Sequence, residues 1–310
     1  MGVVAVAGGT GGVGKTVVEQ LLLDDSHKVF VLGRKVWAAS RSAKEADFLQ
    51  VDYANIDALA RILEDHNIDT VISTINLEND AGSQSQLGLI AAAEKSQATR
   101  RFIPSEFLTP MDEEDPKAGA GFGGWVPNAR ALKKTNLEYI RISIGFFSDY
   151  WGMPRVKSNL KPFHWFLNME RGLAVIPGSG DDVFTVTYSE DLGRAIVALV
   201  NSEERWPKEG ILRGDTISVN KLVSIAEKIR GSKLDVIYDS VEDLKKGNAT
   251  LVHAPNAEPE NEAKANLAMV VQMIMAGACL LPQDDRDLRK RFPDLHLTTV
   301  EGLLEAAWGS

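Results

Sequence analysis
Val3-Val4-Ala5-Val6-Ala7-Gly8-Gly9-Thr10-Gly11-Gly12-Val13-Gly14-Lys15-Thr16-Val17-Val18-Glu19-Gln20-Leu21-Leu22-Leu23 opens on five apolar residues, three of them β-branched. Such a run is the mark of a strand buried on both faces. Five glycines follow within seven residues. From Lys15 onward Val17, Val18, Leu21 and Leu22 recur at helical spacing. A strand, a glycine turn and a helix in succession make an anion site. Glycine lets the backbone approach a phosphate, and the free N–H groups and dipole of the helix start stabilise its charge.

Two motifs overlap in this turn. Gly8-x-x-Gly11-x-x-Gly14 has the glycine spacing of dinucleotide-binding folds, which makes Gly8, Thr10, Gly11, Gly12, Val13 and Gly14 candidate cofactor residues. Gly9-x-x-x-x-Gly14-Lys15-Thr16 fits the phosphate loop of nucleotide triphosphatases, and GGVGKT is similar to the deviant loops of partitioning ATPases. The second reading requires a Mg²⁺-binding acid at a later strand end. Val71-Ile72 ends instead in Ser73 and Thr74, leaving Asp52 as the acid to consider, and the signature lysine of the deviant loops is Thr10 here. The dinucleotide reading leads, and the triphosphatase is the remote alternative.

The next strand, Lys28 to Leu32, is followed by Gly33-Arg34-Lys35. An acid at this distance from the turn bonds the ribose 2′-hydroxyl of NAD, whereas an arginine accommodates the 2′-phosphate of NADP. Arg34 holds that place, Lys35 adds charge, and the expected cofactor is NADPH/NADP; a solvated basic pair is the alternative. Phe48 to Val51 is a third strand ended by Asp52, which either lies beside an adenine or caps the helix Ile56 to Asp65. A fourth strand, Asp69 to Ile75, carries Ser73 and Thr74 at its polar end, where a cofactor ribose is expected. A helix over Ser85 to Ser96 and a fifth strand, Arg101 to Pro104, complete a β-α-β alternation that predicts a Rossmann-type, doubly wound parallel α/β sheet.

Composition excludes several classes. The 310 residues suffice for one large domain or two interlocked ones, and 44% hydrophobic with 25% charged residues fits a soluble globular protein. A net charge of −9 argues against a nucleic-acid partner. The single cysteine, Cys279, fits a reducing, cytoplasmic compartment and reads as a core thiol in an apolar helix. No signal peptide is expected before Val3, and Leu267 to Leu281 is too short to span a membrane. His66, His253 and Cys279 are too scattered for a metal site. A small-molecule substrate is expected, with no membrane partner and a monomeric or homodimeric state.

At Arg101-Phe102-Ile103-Pro104-Ser105-Glu106-Phe107 the chain closely resembles the RFLPSEF segment of the NmrA-like and isoflavone-reductase-like atypical short-chain reductases. The resemblance extends over nearly the whole chain and is nearest to fungal members. It takes in Gly8, Gly11 and Gly14, then Arg34 and Gln86, then Asn136-Leu137-Glu138-Tyr139. Further along it includes Gly145-Phe146-Phe147-Ser148-Asp149-Tyr150, Pro177-Gly178-Ser179-Gly180 and Ser189-Glu190-Asp191. It implies a cofactor-binding core over 1–150, with 183–201 returning to it. A smaller substrate lobe over 151–310 would be interleaved with that core. It also implies Gln86 as a cofactor residue, and an NADPH-dependent reductase of a small aromatic or secondary-metabolite substrate. Relatives that bind NAD(P) as redox sensors supply the alternative.

One departure matters. The lysine that the family's reductases carry about a dozen residues before Leu137-Glu138-Tyr139 is Trp125 here, and no Tyr-x-x-x-Lys pair replaces it. The candidate catalytic residues are therefore Ser105, at the end of the fifth strand, and the donors Lys157 and Tyr150, with Lys161 a further lysine. Trp125, Phe147, Trp151 and His164 are the candidate substrate-binding residues. Asp112 to Asp115 and Ala118 to Gly124 read as a flap, Leu173 to Tyr188 as a hairpin around Gly178 to Asp182, and Asn266 to Leu281 and Val300 to Trp308 as closing helices.

Overall fold
A computed structural model describes residues 2–35, 46–109, 111, 124–163, 165–253 and 259–309. The chain forms two compact units. The first contains Met1–Ser143, Leu192–Ile211 and Asp285–Leu295; the second contains Ile144–Asp191, Leu212–Asp284 and His296–Ser310.

In the first unit the apolar run becomes strand β1 (Val3–Ala7), and the glycine turn leads into helix α1 (Gly12–Asp24). There follow β2 (Lys28–Gly33), β3 (Asp47–Gln50), α2 (Ile56–Asp65), β4 (Thr70–Ser73), α3 (Asp80–Lys95), β5 (Arg101–Ile103), α4 (Trp125–Lys133) and β6 (Glu138–Tyr139). The six strands pair in parallel in the order β3-β2-β1-β4-β5-β6. This is the dinucleotide-binding order, and its reversal point between β1 and β4 is where such sheets bind ligands, at their carboxyl ends. Ala5, Ala7, Phe30, Leu32, Val71 and Phe102 face a core completed by Leu59 and Leu63 of α2 and Leu89 of α3. Asn55 caps α2 by accepting from Ala58 N–H (3.1 Å), and Asn79 caps α3 by accepting from Gly82 N–H (2.9 Å). Asp52 is therefore not the cap of α2. Its Oδ1 accepts from Ala54 N–H at 3.0 Å in the turn before it. β7 (Arg141–Ser143) continues past β6 and pairs in parallel with Glu209–Ile211.

The second unit begins with β8 (Phe146–Phe147), α5 (Asp149–Gly152), β9 (Leu167–Asn168), β10 (Leu173–Pro177) and β11 (Val183–Thr187). Further along the chain α6 (Ser189–Asn201, from Leu192 on), β12 (Glu209–Ile211) and α10 (Leu288–Arg291) belong to the first unit, and β13 (Asp215–Ser218), α7 (Val219–Arg230), β14 (Asp235–Asp239), α8 (Val241–Lys245), α9 (Glu260–Met275) and α11 (Val300–Trp308) to the second. Two three-stranded sheets form here, β14-β10-β9 and β13-β11-β8.

β10 and β11 thus lie in different sheets, and the expected hairpin over Leu173–Tyr188 does not form. Asn220 at the start of α7 donates to Ser179 O (2.9 Å) and Asp181 Oδ1 (2.7 Å), which ties the turn to α7 and sends β11 to another partner. The expected helix through Cys279 ends at Met275. Gly277 then takes a left-handed φ of 72°, and the buried Cys279 offers its carbonyl to Thr185 N–H at 3.0 Å. Among the described residues no helix is long and apolar enough to cross a membrane, and no group of three acidic, His or Cys side chains could hold a metal ion.

Candidate functional site
The glycine turn is set by contacts at the β1–β4 reversal point. Gly8 has a φ of 80°, its N–H donates to Leu32 O (3.2 Å), and its carbonyl accepts from Gly11 N–H (2.9 Å). A Cβ on Gly14 would stand 2.3 Å from Gly8 O and 2.5 Å from Thr74 Oγ1, so no side chain fits there. Thr10 and Gly11 are exposed, Gly12 and Val13 half-buried. The first intrahelical bond of α1 runs from Lys15 N–H to Gly11 O at 2.7 Å, which leaves the N–H groups of Gly12, Val13 and Gly14 ahead of the helical ladder. A turn with no room for side chains and with donors at a helix start fits a diphosphate.

Lys15 and Thr16 do not fit the triphosphatase reading. Lys15 lies 3.8 Å from Glu19 one helical turn on, at the exposed surface of α1. Thr16 is fully buried and its hydroxyl donates to Gly12 O at 3.3 Å, so it is not available to a Mg²⁺ ion.

Arg34 and Lys35 are exposed immediately after β2. Gln50 Nε2 donates to Arg34 O at 3.2 Å, which holds the backbone at this point. Beneath it the buried Tyr53 hydroxyl donates to Leu32 O at 3.2 Å. Burial pushes the Tyr53 hydroxyl well above its usual range, and the nearby Arg34 charge works in the opposite direction. Asp52 is exposed beside these groups.

Ser73 and Thr74 part company. Ser73 is fully buried, with no hydrogen-bond partner for its hydroxyl. Thr74 Oγ1 donates to Ala7 O at 2.8 Å, under the glycine turn. Thr74 is half-buried at the end of β4, so its hydroxyl proton goes to the backbone while its oxygen keeps lone pairs to accept. Gln86 is fully buried in α3, and its Oε1 accepts from Ser105 N–H at 2.9 Å. Gln86 therefore holds the backbone of Ser105, whose side chain stays partly exposed at the end of β5.

The next residue, Glu106, is held from the other side. Arg141 Nε donates to Glu106 Oε2 at 2.6 Å and Arg141 Nη2 to Met111 O at 2.9 Å, all within the interior. The sequence offered no signal for this pair beyond the Glu106 of the recognised segment. Trp125 opens α4 and is buried. Its turn is tied to α3 through Asn128, which donates to Gly124 O (2.7 Å) and Ser83 Oγ (2.9 Å).

The remaining candidates belong to the second unit. Trp151 is not a surface residue of a pocket. It stacks on Trp165 with centroids 5.5 Å apart, and its indole N–H donates to Trp165 O at 3.1 Å. Phe184 and Phe166 extend this buried aromatic cluster, and the half-buried Phe146 meets Trp165 edge-on at 5.0 Å. Phe147 lies half-buried in β8 opposite Thr187. Tyr150 is half-buried and meets the exposed Phe163 edge-on at 5.6 Å. Lys157 is half-exposed, with Nζ 2.9 Å from Oε2 of the buried Glu190, and its carbonyl accepts from the Tyr188 hydroxyl. Ser158 beside it donates to Asp149 Oδ1 at 2.7 Å. His164 and residues 112–123 of the expected flap lie outside the described residues.

Comparison with known proteins agrees with this architecture. The profile of the NmrA-like family matches residues 1–273. "Oxidoreductase swnN" of Metarhizium robertsii is 30% identical over 99% of this chain and 98% of its own length. "Oxidoreductase BOA1" of Botryotinia fuckeliana is 35% identical over 74% and 76%. Among solved structures, the ternary complex of leucoanthocyanidin reductase from Vitis vinifera superposes with a TM-score of 0.74 at 20% identity, covering 97% of this chain and 98% of that one. The complex titled AtPrR2 with NADP+ and (+)pinoresinol gives 0.74 at 21% identity and covers 97% of each. This chain belongs to the NmrA-like family and stands among its oxidoreductases.

Proposed function
We propose that this protein is an NADPH-dependent reductase of a small aromatic, secondary-metabolite-type molecule. The observation that carries the cofactor choice is Arg34, an exposed guanidinium on a braced backbone just past β2. An arginine at this point accommodates a 2′-phosphate. The relatives titled as complexes with NADP+ or NADPH support the same reading.

When bound, NADPH supplies a hydride to an electrophilic carbon of the substrate. The N–H groups of Gly12 to Gly14 would bind its diphosphate. Arg34 and Lys35 would bind the 2′-phosphate, with Asp52 beside the adenosine. The Ser105 hydroxyl, on a backbone fixed by Gln86 and Glu106, would hydrogen-bond the substrate or the nicotinamide ribose. A proton must reach the reduced substrate, and Trp125 has none to give at the family's lysine position. Lys157, an accessible ammonium held by a buried carboxylate, is the donor we favour over Tyr150. Phe147 and Tyr150, with the exposed Phe163, would supply aromatic contact to the substrate.

Titration of the purified protein with NADPH and NADH, followed by a screen of aromatic ketones, enones and quinones for NADPH oxidation, tests the proposal. Tighter NADPH binding and turnover of at least one class are expected. Tight binding of NADP+ and NADPH with no turnover by any of them would favour the redox-sensor reading, in which Trp125 marks a lost activity. Hydrolysis of Mg²⁺–ATP would refute both.

A further inference from the structure
Thr74, the residue after β4, gives both its donors to the backbone. Its N–H and its Oγ1 both donate to the carbonyl of Ala7, each at 2.8 Å, where β1 ends and the glycine turn begins. From there Oγ1 occupies the floor of the turn. A Cβ built on Gly8 would come within 2.9 Å of it, and one built on Gly14 within 2.5 Å. Gly8 O, which the same Gly14 Cβ would approach to 2.3 Å, accepts the Gly11 N–H at 2.9 Å. One hydroxyl, one carbonyl and two glycines thus fill a single small volume between β1, β4 and α1. The height of Gly11 to Gly14 above the sheet depends on that filling, because close-packed interiors do not deform smoothly.

We propose that Thr74 is the positioning residue of the phosphate turn. It does not touch the cofactor. Its hydroxyl pins the end of β1 and so aims the free N–H groups of Gly12, Val13 and Gly14 at the diphosphate of NADPH. The inference rests on the NADPH reading above and adds to it the residue on which the turn's geometry depends.

The test compares two ligands on the full chain. NADPH carries the diphosphate; adenosine 2′-monophosphate carries the adenosine and the 2′-phosphate but no diphosphate. Thr74→Val and Thr74→Ala remove the hydroxyl, and Thr74→Ser keeps it. Loss of this one hydrogen bond is expected to weaken NADPH about tenfold in Thr74→Val and Thr74→Ala. Adenosine 2′-monophosphate should bind all variants as it binds wild type, and Thr74→Ser should restore NADPH affinity. If Thr74→Val does not fold, the Ala–Ser pair carries the same comparison. Unchanged NADPH affinity in the variants without the hydroxyl, or equal weakening of both ligands, would overturn the inference. A wild-type chain that binds neither ligand would refute the NADPH reading, and the inference with it.

Discussion

Replacing Arg141 by methionine should destabilise the first unit more than any surface substitution can. The side chains of Arg141 and Glu106 are only 5% and 2% exposed, and the pair is bonded at 2.6 Å. Arg141 also serves the carbonyl of Met111 at 2.9 Å and lies 3.9 Å from Glu209. Removing the guanidinium leaves the Glu106 carboxylate buried without this partner, which costs about 3–5 kcal/mol. The Met111 carbonyl, in the interior, loses a donor at about 1–3 kcal/mol. The two costs overlap, since one relaxation serves both, so a loss of about 3–5 kcal/mol is expected in all. Against a typical stability of about 5–15 kcal/mol, that is a large fraction. Urea unfolding of wild type, Arg141→Met, Glu106→Leu and the double variant measures it. The double variant should recover about 2 kcal/mol or more relative to the sum of the singles, because no buried charge is left unpaired. A loss under about 1 kcal/mol in Arg141→Met, or strict additivity, would refute the claim that this buried pair holds the segment after β5.

Arg34→Ala should weaken NADPH about tenfold to a hundredfold and leave NADH unchanged, measured by fluorescence titration; equal effects on both would remove the 2′-phosphate argument. Lys157→Met should lower kcat about a hundredfold on a ketone or enone that wild type reduces, with NADPH affinity intact. Burial holds the Asp149 carboxyl above its ordinary value of 3.8, with hydrogen bonds from Ser189 and Ser158 opposing the shift. Its contribution to stability is therefore fully present below that value and is lost as pH rises through the folded pKa. Urea midpoints should show wild type losing stability relative to Asp149→Asn as pH rises from 4, and a gain would reverse the sign of this argument.

The parallel sheet was legible because its determinants are local. The β-branched run Val3–Val6, the glycines and the Asx caps each specify their own neighbourhood, and the alternation of strand and helix then leaves few topologies. The NmrA-like resemblance was legible for a different reason, since Arg101–Phe107 is a specific string. What sequence did not disclose depends on distant partners. The Leu173–Tyr188 stretch has the turn chemistry of a hairpin, yet Asn220, some forty residues on, redirects it. Trp151 and Phe147 look equivalent as aromatics after a strand, but only three-dimensional packing buries one against Trp165 and leaves the other half-exposed. The bond from the Thr74 hydroxyl to the carbonyl of Ala7 joins residues 67 positions apart, and no local signal announces it.

The same contrast bears on where substrate preference is encoded. Trp151, Trp165, Phe166 and Phe184 pack against one another with centroids 4.7–6.4 Å apart, and each is almost wholly buried. Substituting any of them with alanine removes core volume, at about 3–5 kcal/mol, and so acts on folding before it acts on recognition. Phe147, Tyr150 and Phe163 retain exposed ring surface, yet two of them are fixed by the stack: Phe163 touches Trp165 at 6.0 Å and Tyr150 touches Phe163 at 5.6 Å. A rigid core that holds a few exposed rings lets substrate choice vary by substitution at the exposed positions alone. On the function proposed above, aromatic selectivity would fall to Tyr150 and Phe163, the residues at the open end of the stack, and stability to those behind them.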